Sequence, residues 1–173
     1  VVVIELGTDM PGDIAAFQSI VHPNITVVSA ISEEHMEFFE DIEAVAAEEL
    51  SIAAFSDKVI VNGDDINESY INNYVPADVP IYSYGFSGQA TYHVIAKRNH
   101  HHQFSAAITL KDATKITADI SLASTHGIKA VVAAVAVADQ LGMPADAIVK
   151  GIAKVVAAPG RMQLLEGMQD SLI

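Results

Sequence analysis

The residues of this chain best suited to chemistry are two acids and a histidine. Glu5 stands alone in the apolar run Val1-Val-Val-Ile-Glu-Leu-Gly7, and His35 sits among acids in Ile31-Ser-Glu-Glu-His-Met-Glu-Phe-Phe39. The second segment directly follows another apolar run, Ile25 to Ile31. An acid within a buried strand is costly unless something cationic meets it. Open α/β sheets gather their ligands at the carboxyl ends of their strands. Glu5 and His35 at the ends of two neighbouring parallel strands would form a magnesium site open to a phosphate. Glu48 and Glu49 follow in the helical run Asp41 to Phe55, where Glu49 lies four residues after Val45, which leaves the direction of its side chain open. Asn99-His-His-His102 carries imidazoles suited to transition metals. Adjacent strand residues point to opposite faces, so these rings cannot all converge, and the segment reads as a polar turn.

The elements that must position these groups follow from periodicity. Val1 to Gly7 has the pattern of a strand buried on both faces. Thr8 to Asp13 is a turn, and Ile14, Phe17, Ile20 and Val21 recur at helical spacing up to Pro23. Strand then helix repeats at Ile25 to Ile31 with Asp41 to Phe55, and at Lys58 to Val61 with Ile66 to Tyr74, where Asp64 and Asp65 are candidate caps. Three such units predict a right-handed parallel α/β sheet. From Pro80 the texture changes to the strand-like runs Ile81 to Tyr84, Thr91 to Lys97, Phe104 to Leu110 and Thr114 to Leu122, with Lys111-Asp-Ala113 as a hairpin loop. This is an antiparallel extension. Two helices follow, Thr125 to Leu141 and Pro144 to Val156.

Composition excludes several classes of function. With 9 Lys and Arg against 22 Asp and Glu, the net charge of −13 argues against a nucleic-acid or anionic-membrane surface. The absence of cysteine removes disulfides and thiolate metal sites. No leader and no apolar run long enough to span a bilayer stands out, so the expectation is a soluble cytoplasmic protein. The 173 residues, 51 % apolar, suffice for one domain and a tail. The chain starts inside an apolar run without an initiator Met and stops at Asp170-Ser-Leu-Ile173, and it reads as a piece of a longer enzyme.

Four segments in register carry a family resemblance: Glu5-Leu-Gly7 with Pro11-Gly-Asp-Ile14, His35-Met-Glu37 with Phe39, Val61-Asn-Gly-Asp-Asp65, and Pro159-Gly-Arg161. In order and spacing they resemble the central, ATP-binding domain of the Mur ligases, most closely the branch that adds D-alanyl-D-alanine to a UDP-muramoyl-tripeptide. The resemblance covers essentially the whole chain. It implies a P-loop-NTPase-like α/β domain over residues 1–158, with residues 159–173 as the junction to a C-terminal ligase domain. It also implies a monomeric ligase using ATP and Mg²⁺, with a UDP-muramoyl-peptide and D-alanyl-D-alanine as substrates. A carboxylate would be phosphorylated by ATP, and the dipeptide amine would attack the acyl phosphate. By this resemblance Glu5 and His35 hold magnesium, Asn62 and Asp64 lie near adenine and ribose, His126 belongs to the nucleotide side, and Arg161 reaches the nucleotide.

The chain also departs from that family. A lysine, carbamylated to make an acid, usually stands fourteen residues after the metal histidine, and here that position is Glu49. Glu49 is expected to keep that acid's role. The usual Thr-Asn ahead of the histidine reads Ser29-Ala30, and the His-Asn pair opening the penultimate helix reads His126-Gly127. No Gly-x-x-Gly-Lys-Thr loop is present, so the phosphate cradle is expected upstream of Val1 and the fragment alone is expected to be inactive. Two alternatives accompany this reading: a folylpolyglutamate or cyanophycin synthetase type of ligase, and a non-catalytic binding module of the same fold.

Overall fold

A computed structural model describes residues 1–33, 36–99 and 103–160. The chain divides into two compact units, Val1–Ser83 and Tyr84–Ile173. Each is taken in turn.

In the first unit the elements are α1 (Asp13–Gln18), β1 (Thr26–Val28), α2 (Ile42–Ser51), β2 (Val59–Asn62), α3 (Glu68–Tyr74) and the start of β3 (Ile81–Gly85). A 3₁₀ turn, Ile52–Phe55, extends α2. β1 and β2 pair in parallel, with Val27 opposite Ile60. Every residue of β2 is buried, as expected of a parallel strand covered on both faces. Val45, Ala46 and Leu50 of α2 pack with Val28, Val59 and Val61 into one apolar cluster. Burial of that kind, about 25 cal/mol per Å² of apolar surface, is what makes so short a helix stable, because isolated helices of this length are marginal in water. Asp41 caps α2 by accepting from the Ala44 N–H at 2.8 Å. The buried hydroxyls beneath it are satisfied: Thr26 meets Ser56 at 2.7 Å, and Ser56 also donates to the Ile52 carbonyl.

Three local expectations are corrected here. Val1 to Gly7 is not a strand: it makes no ladder, and Val1 to Val3 are 84–102 % exposed. Apolar patterning reports what a segment would gain from burial, whereas a strand also needs a partner for its backbone groups, and β1 pairs with β2. Helix α1 stops at Gln18 rather than continuing to Val21, closed by the Ile20 and Val21 N–H groups on the Phe17 carbonyl. The cap of α3 is Asn67, which accepts from the Ser69 N–H at 3.0 Å, and not Asp64 or Asp65.

The second unit contains the end of β3, then β4 (Tyr92–Arg98), β5 (Phe104–Thr109), β6 (Lys115–Ile120), α4 (Thr125–Gln140) and α5 (Ala145–Ile152). Tyr84 and Gly85 pair in parallel with Tyr92 and His93. β4 with β5 and β5 with β6 are antiparallel. Parallel α/β pairing followed by an antiparallel extension is the fold class the sequence pattern implied. Ile128, Val131, Val132, Val135 and Ala136 form the buried stripe of α4, a 3.6-residue repeat. Tyr92, fully buried, ties β4 to this helix: its hydroxyl donates to Asp139 at 2.9 Å and accepts from the Gln140 amide at 2.8 Å. Gly142, with φ 76°, takes the left-handed position that ends α4.

Between β4 and β5 the Asn99 N–H donates to the Gln103 carbonyl at 2.8 Å, and the Gln103 N–H donates back to the Asn99 side chain. His100, His101 and His102, read from the sequence as part of a polar turn, lie outside the described residues. The β5–β6 hairpin closes through Leu110 N–H on the Thr114 carbonyl at 2.8 Å, with Asp112 accepting from the Thr114 N–H. That backbone bond holds the Asp112 carboxyl below the usual carboxylate range. Ala113 takes φ 68°, the one positive-φ residue other than glycine among the described residues. An alanine there crowds its Cβ against the following carbonyl, a strain glycine lacks. We therefore expect Ala113→Gly to stabilise the chain by about 0.5–1 kcal/mol, the relieved strain less the greater unfolded-state entropy of glycine. Urea unfolding followed by circular dichroism checks this, and a lowered midpoint would refute it.

Candidate functional site

A pocket of about 280 Å³ opens in the first unit, where Glu5, Thr8 and Asp9 face Ser29, Ser32 and Glu49. Three local structures bring these residues together. Ser29 to Ser32 leave the carboxyl end of β1, the position where parallel sheets present ligand groups. Glu49 comes from the third turn of α2, one helical turn after the buried Val45, which also lines the pocket. This settles the direction of Glu49: it faces the pocket. Glu5 to Asp9 come from a segment with no regular structure, fixed by its side chains rather than by a ladder.

The fixing contacts come from two adjacent acids. Thr8, buried, donates its hydroxyl to Glu49 Oε1. Glu48 Oε2 accepts from the Gly12 N–H at 3.0 Å and Oε1 from the Ile14 N–H at 2.9 Å. Neither acid is part of a merely solvated helix face. Within the loop, Asp13 Oδ2 accepts from the Asp9 and Met10 N–H groups at 2.9 and 3.0 Å.

Of the residues expected to form the site, Glu5 and Glu49 line this one pocket. Glu5 is exposed and reaches it from the irregular segment, not from the end of a strand. His35 and Arg161 lie outside the described residues. Asn62 is 2 % exposed, and its amide donates to the Ser29 carbonyl at 2.9 Å and to Asp65 at 2.7 Å, while its oxygen accepts from the Asp64 N–H. It thereby ties the end of β2 to the pocket residue Ser29 and shapes the turn that carries Asp64. In the second unit His126 is exposed in the first turn of α4, capped by Ser124 accepting from the Gly127 N–H at 3.1 Å.

Thr8, Asp9 and Ser32 were not singled out by sequence reasoning, and Ser29 entered it only as part of the departure at Ser29-Ala30. The available signal was their place: hydroxyls just past a parallel strand end and just past Glu5-Leu-Gly7. The donor set is all oxygen, carboxylate and hydroxyl, which suits a hard cation over a transition metal. Among the described residues no three His, Cys, Asp or Glu side chains close on one point. Magnesium does not require such a cage, since it keeps several waters and takes one or two carboxylates together with substrate phosphate. Glu5 and Glu49 fit that requirement.

Compared with known proteins, residues 1–138 match the Mur ligase middle domain. A UDP-N-acetylmuramoyl-tripeptide–D-alanyl-D-alanine ligase of Rickettsia prowazekii is 31 % identical over 94 residues, which are 51 % of this chain and 21 % of that protein. A UDP-N-acetylmuramate–L-alanine ligase of Dechloromonas aromatica is 28 % identical over 147 residues, 82 % of this chain and 31 % of that protein. The crystal structure of MurF ligase from Thermotoga maritima in complex with ADP superposes with a TM-score of 0.81 at 20 % identity, over 94 % of this chain and 38 % of that one. At that identity the likeness speaks for the fold. The chain thus spans between a fifth and two fifths of the length of these proteins.

Gly127 occupies a place with no room for a side chain, because a Cβ there would stand 2.7 Å from Leu122 Cβ. The neighbour is a β carbon next to the backbone, so relief requires the chain itself to shift. Overpacking costs about 1–3 kcal/mol, and the helix preference for alanine over glycine returns about 1 kcal/mol. Gly127→Ala is expected to lower the melting temperature, a net loss of up to about 2 kcal/mol, and an unchanged or raised value in calorimetry would show that Leu122 yields freely.

Proposed function

The chain belongs to the Mur ligase family through its middle domain, and from that premise we propose that it is part of an ATP-dependent ligase of peptidoglycan precursor synthesis. The ligase joins D-alanyl-D-alanine to a UDP-muramoyl-tripeptide. The observation that carries this reading is the pocket in which Glu5 and Glu49 stand together at the carboxyl end of β1. Support for the branch comes from the Rickettsia relative and from Glu5-Leu-Gly7 with Gly12-Asp-Ile14.

In this reading Glu5 and Glu49 bind Mg²⁺, with His35 as a further ligand. The metal, when bound, neutralises phosphate charge, which is most of what phosphoryl transfer requires. The chain's own residues prepare for it. Thr8 donates to one oxygen of Glu49 and thereby holds that carboxylate at the pocket wall. Two carboxylates lining one pocket suit a divalent cation, which would be attracted to both. A volume of about 280 Å³ accommodates a hydrated ion with a phosphate rather than a whole nucleotide. By the family resemblance Asn62 and Asp64 are assigned to the adenine and ribose, and His126 and Arg161 are assigned to nucleotide binding. Asn62 acts there by holding the turn of Asp64, since its amide is already used within the protein.

We assign residues 1–158 to the central domain and 159–173 to its junction with a C-terminal ligase domain. The protein is read as a cytoplasmic monomer; among the described residues no helix is long and apolar enough to cross a membrane. A second reading, transfer of L-alanine to UDP-muramate, draws on the Dechloromonas relative, which matches a larger share of the chain.

The full-length protein, incubated with Mg·ATP and a UDP-muramoyl-tripeptide, is expected to release phosphate when D-alanyl-D-alanine is added. Release instead with UDP-muramate and L-alanine would move it to the second branch, and release with neither pair would remove the ligase reading. Glu49→Gln retains the shape and removes the charge, and it should slow turnover at least about tenfold, the loss expected for one positioned electrostatic contact. Wild-type turnover in that variant would take Glu49 out of the site. Glu49→Lys is expected to recover activity when bicarbonate is supplied, as carbamylation of the lysine would restore an acid.

A further inference from the structure

The wall of the pocket from Glu5 to Asp9 has no helix or strand to hold it, and the helix that follows is six residues long. The N-cap of α1 is Gly12, a left-handed residue with φ 97° that offers no side chain as a cap. The first N–H groups of a helix need acceptors from elsewhere. Glu48 supplies them from α2, one oxygen on Gly12 at 3.0 Å and the other on Ile14 at 2.9 Å. Both contacts are charge-assisted, roughly twice as strong as neutral ones. Asp13 then carries the restraint back to the pocket by accepting from Asp9 and Met10. Glu48 itself is set by α2, whose Ala46 and Leu50 are fully buried. Its covalent neighbour, a turn of about 100° further round the helix, is Glu49, which bonds Thr8 and faces the pocket.

The two walls are therefore joined twice, at Thr8 by Glu49 and at Gly12 and Ile14 by Glu48. We propose that Glu48 is a positioning residue: it sets the distance of the Glu5–Asp9 wall from Glu49 and thereby the affinity of the pocket for a divalent cation. The second half of this statement rests on the cation reading of the pocket; the first half does not. Glu48 touches no ligand in this scheme. It acts through the loop, and its effect is to be sought at residues it does not contact.

Amide hydrogen exchange and a titration with MgCl₂ alone, both followed by NMR on the full chain, test it. Glu48→Gln keeps the size and one acceptor but turns an NH₂ toward a backbone N–H. The amides of Asp9 and Met10, bonded to Asp13 and not to residue 48, should exchange about tenfold faster in this variant, and Mg²⁺ affinity should fall about tenfold, as for one lost charge-assisted hydrogen bond. Glu48→Asp, which keeps the charge but draws it back by one methylene, should fall between. Faster exchange confined to Gly12 and Ile14, or an Mg²⁺ affinity equal to wild type in Glu48→Gln, overturns the proposal. A wild-type chain that does not respond to Mg²⁺ overturns the cation reading of the pocket, and the exchange at Asp9 and Met10 then still decides whether Glu48 sets the wall.

Discussion

The structure of the pocket depends on one constraint: an irregular segment has to be held against helix α2 without a ladder of its own. Backbone groups left unpaired away from water cost about as much as a lost hydrogen bond each, so such a segment needs side-chain partners. Two consecutive glutamates provide them, Glu49 at Thr8 and Glu48 at Gly12 and Ile14. Consecutive positions on a helix diverge, which is why one helix can grip two points of the same loop. The grip is only as firm as α2, and α2 is firm because Val45, Ala46 and Leu50 sit in the cluster around β2.

Around that constraint the unit has a simple logic. The parallel pair β1–β2 supplies a buried floor, and the strand ends supply polar groups at its rim. Asn62 links the two ends, donating to the Ser29 carbonyl and accepting from the Asp64 N–H, so the pocket residue Ser29 and the turn carrying Asp64 are tied through one side chain. The oxygen-rich, cysteine-free donor set matches the chemistry of a protein with 22 acids and 9 basic residues. A chain of that charge attracts phosphates poorly by itself. Under the proposed reading a divalent cation between its carboxylates and an anionic substrate would reconcile the two.

The second unit shows a different economy. Its antiparallel strands are joined by a tight hairpin that places Ala113 at a positive φ, and its helix α4 meets Leu122 so closely that residue 127 has no room for a side chain. Residue 127, where the family resemblance implies asparagine, is glycine, in a place that leaves no room for a side chain. Buried Tyr92, bonded to Asp139 and Gln140, shows the complementary case, a polar atom admitted to the core because both its bonds are made.

Alternation, 3.6-residue periodicity and turn residues were enough to order the strands and helices from Ile25 onward, because those patterns are local and each element buries the face its pattern marks. The family motifs were legible for the same reason, being short and contiguous: they paired Glu5 with His35, and the departure at the family's lysine position drew attention to Glu49. What the pattern of Val1 to Gly7 did not contain was a neighbour. An apolar run becomes a strand when a partner pairs its backbone, and sequence periodicity carries no information about which edge lies alongside. Likewise the repeat around Val45 left the aim of Glu49 open, and nothing in Ala46-Ala-Glu-Glu-Leu50 announced that Glu48 would cap a helix beginning thirty-six residues earlier in the chain. Those contacts are long-range, and tertiary packing alone decided them, by bringing the Gly12 and Ile14 N–H groups within 3.0 Å of a carboxylate.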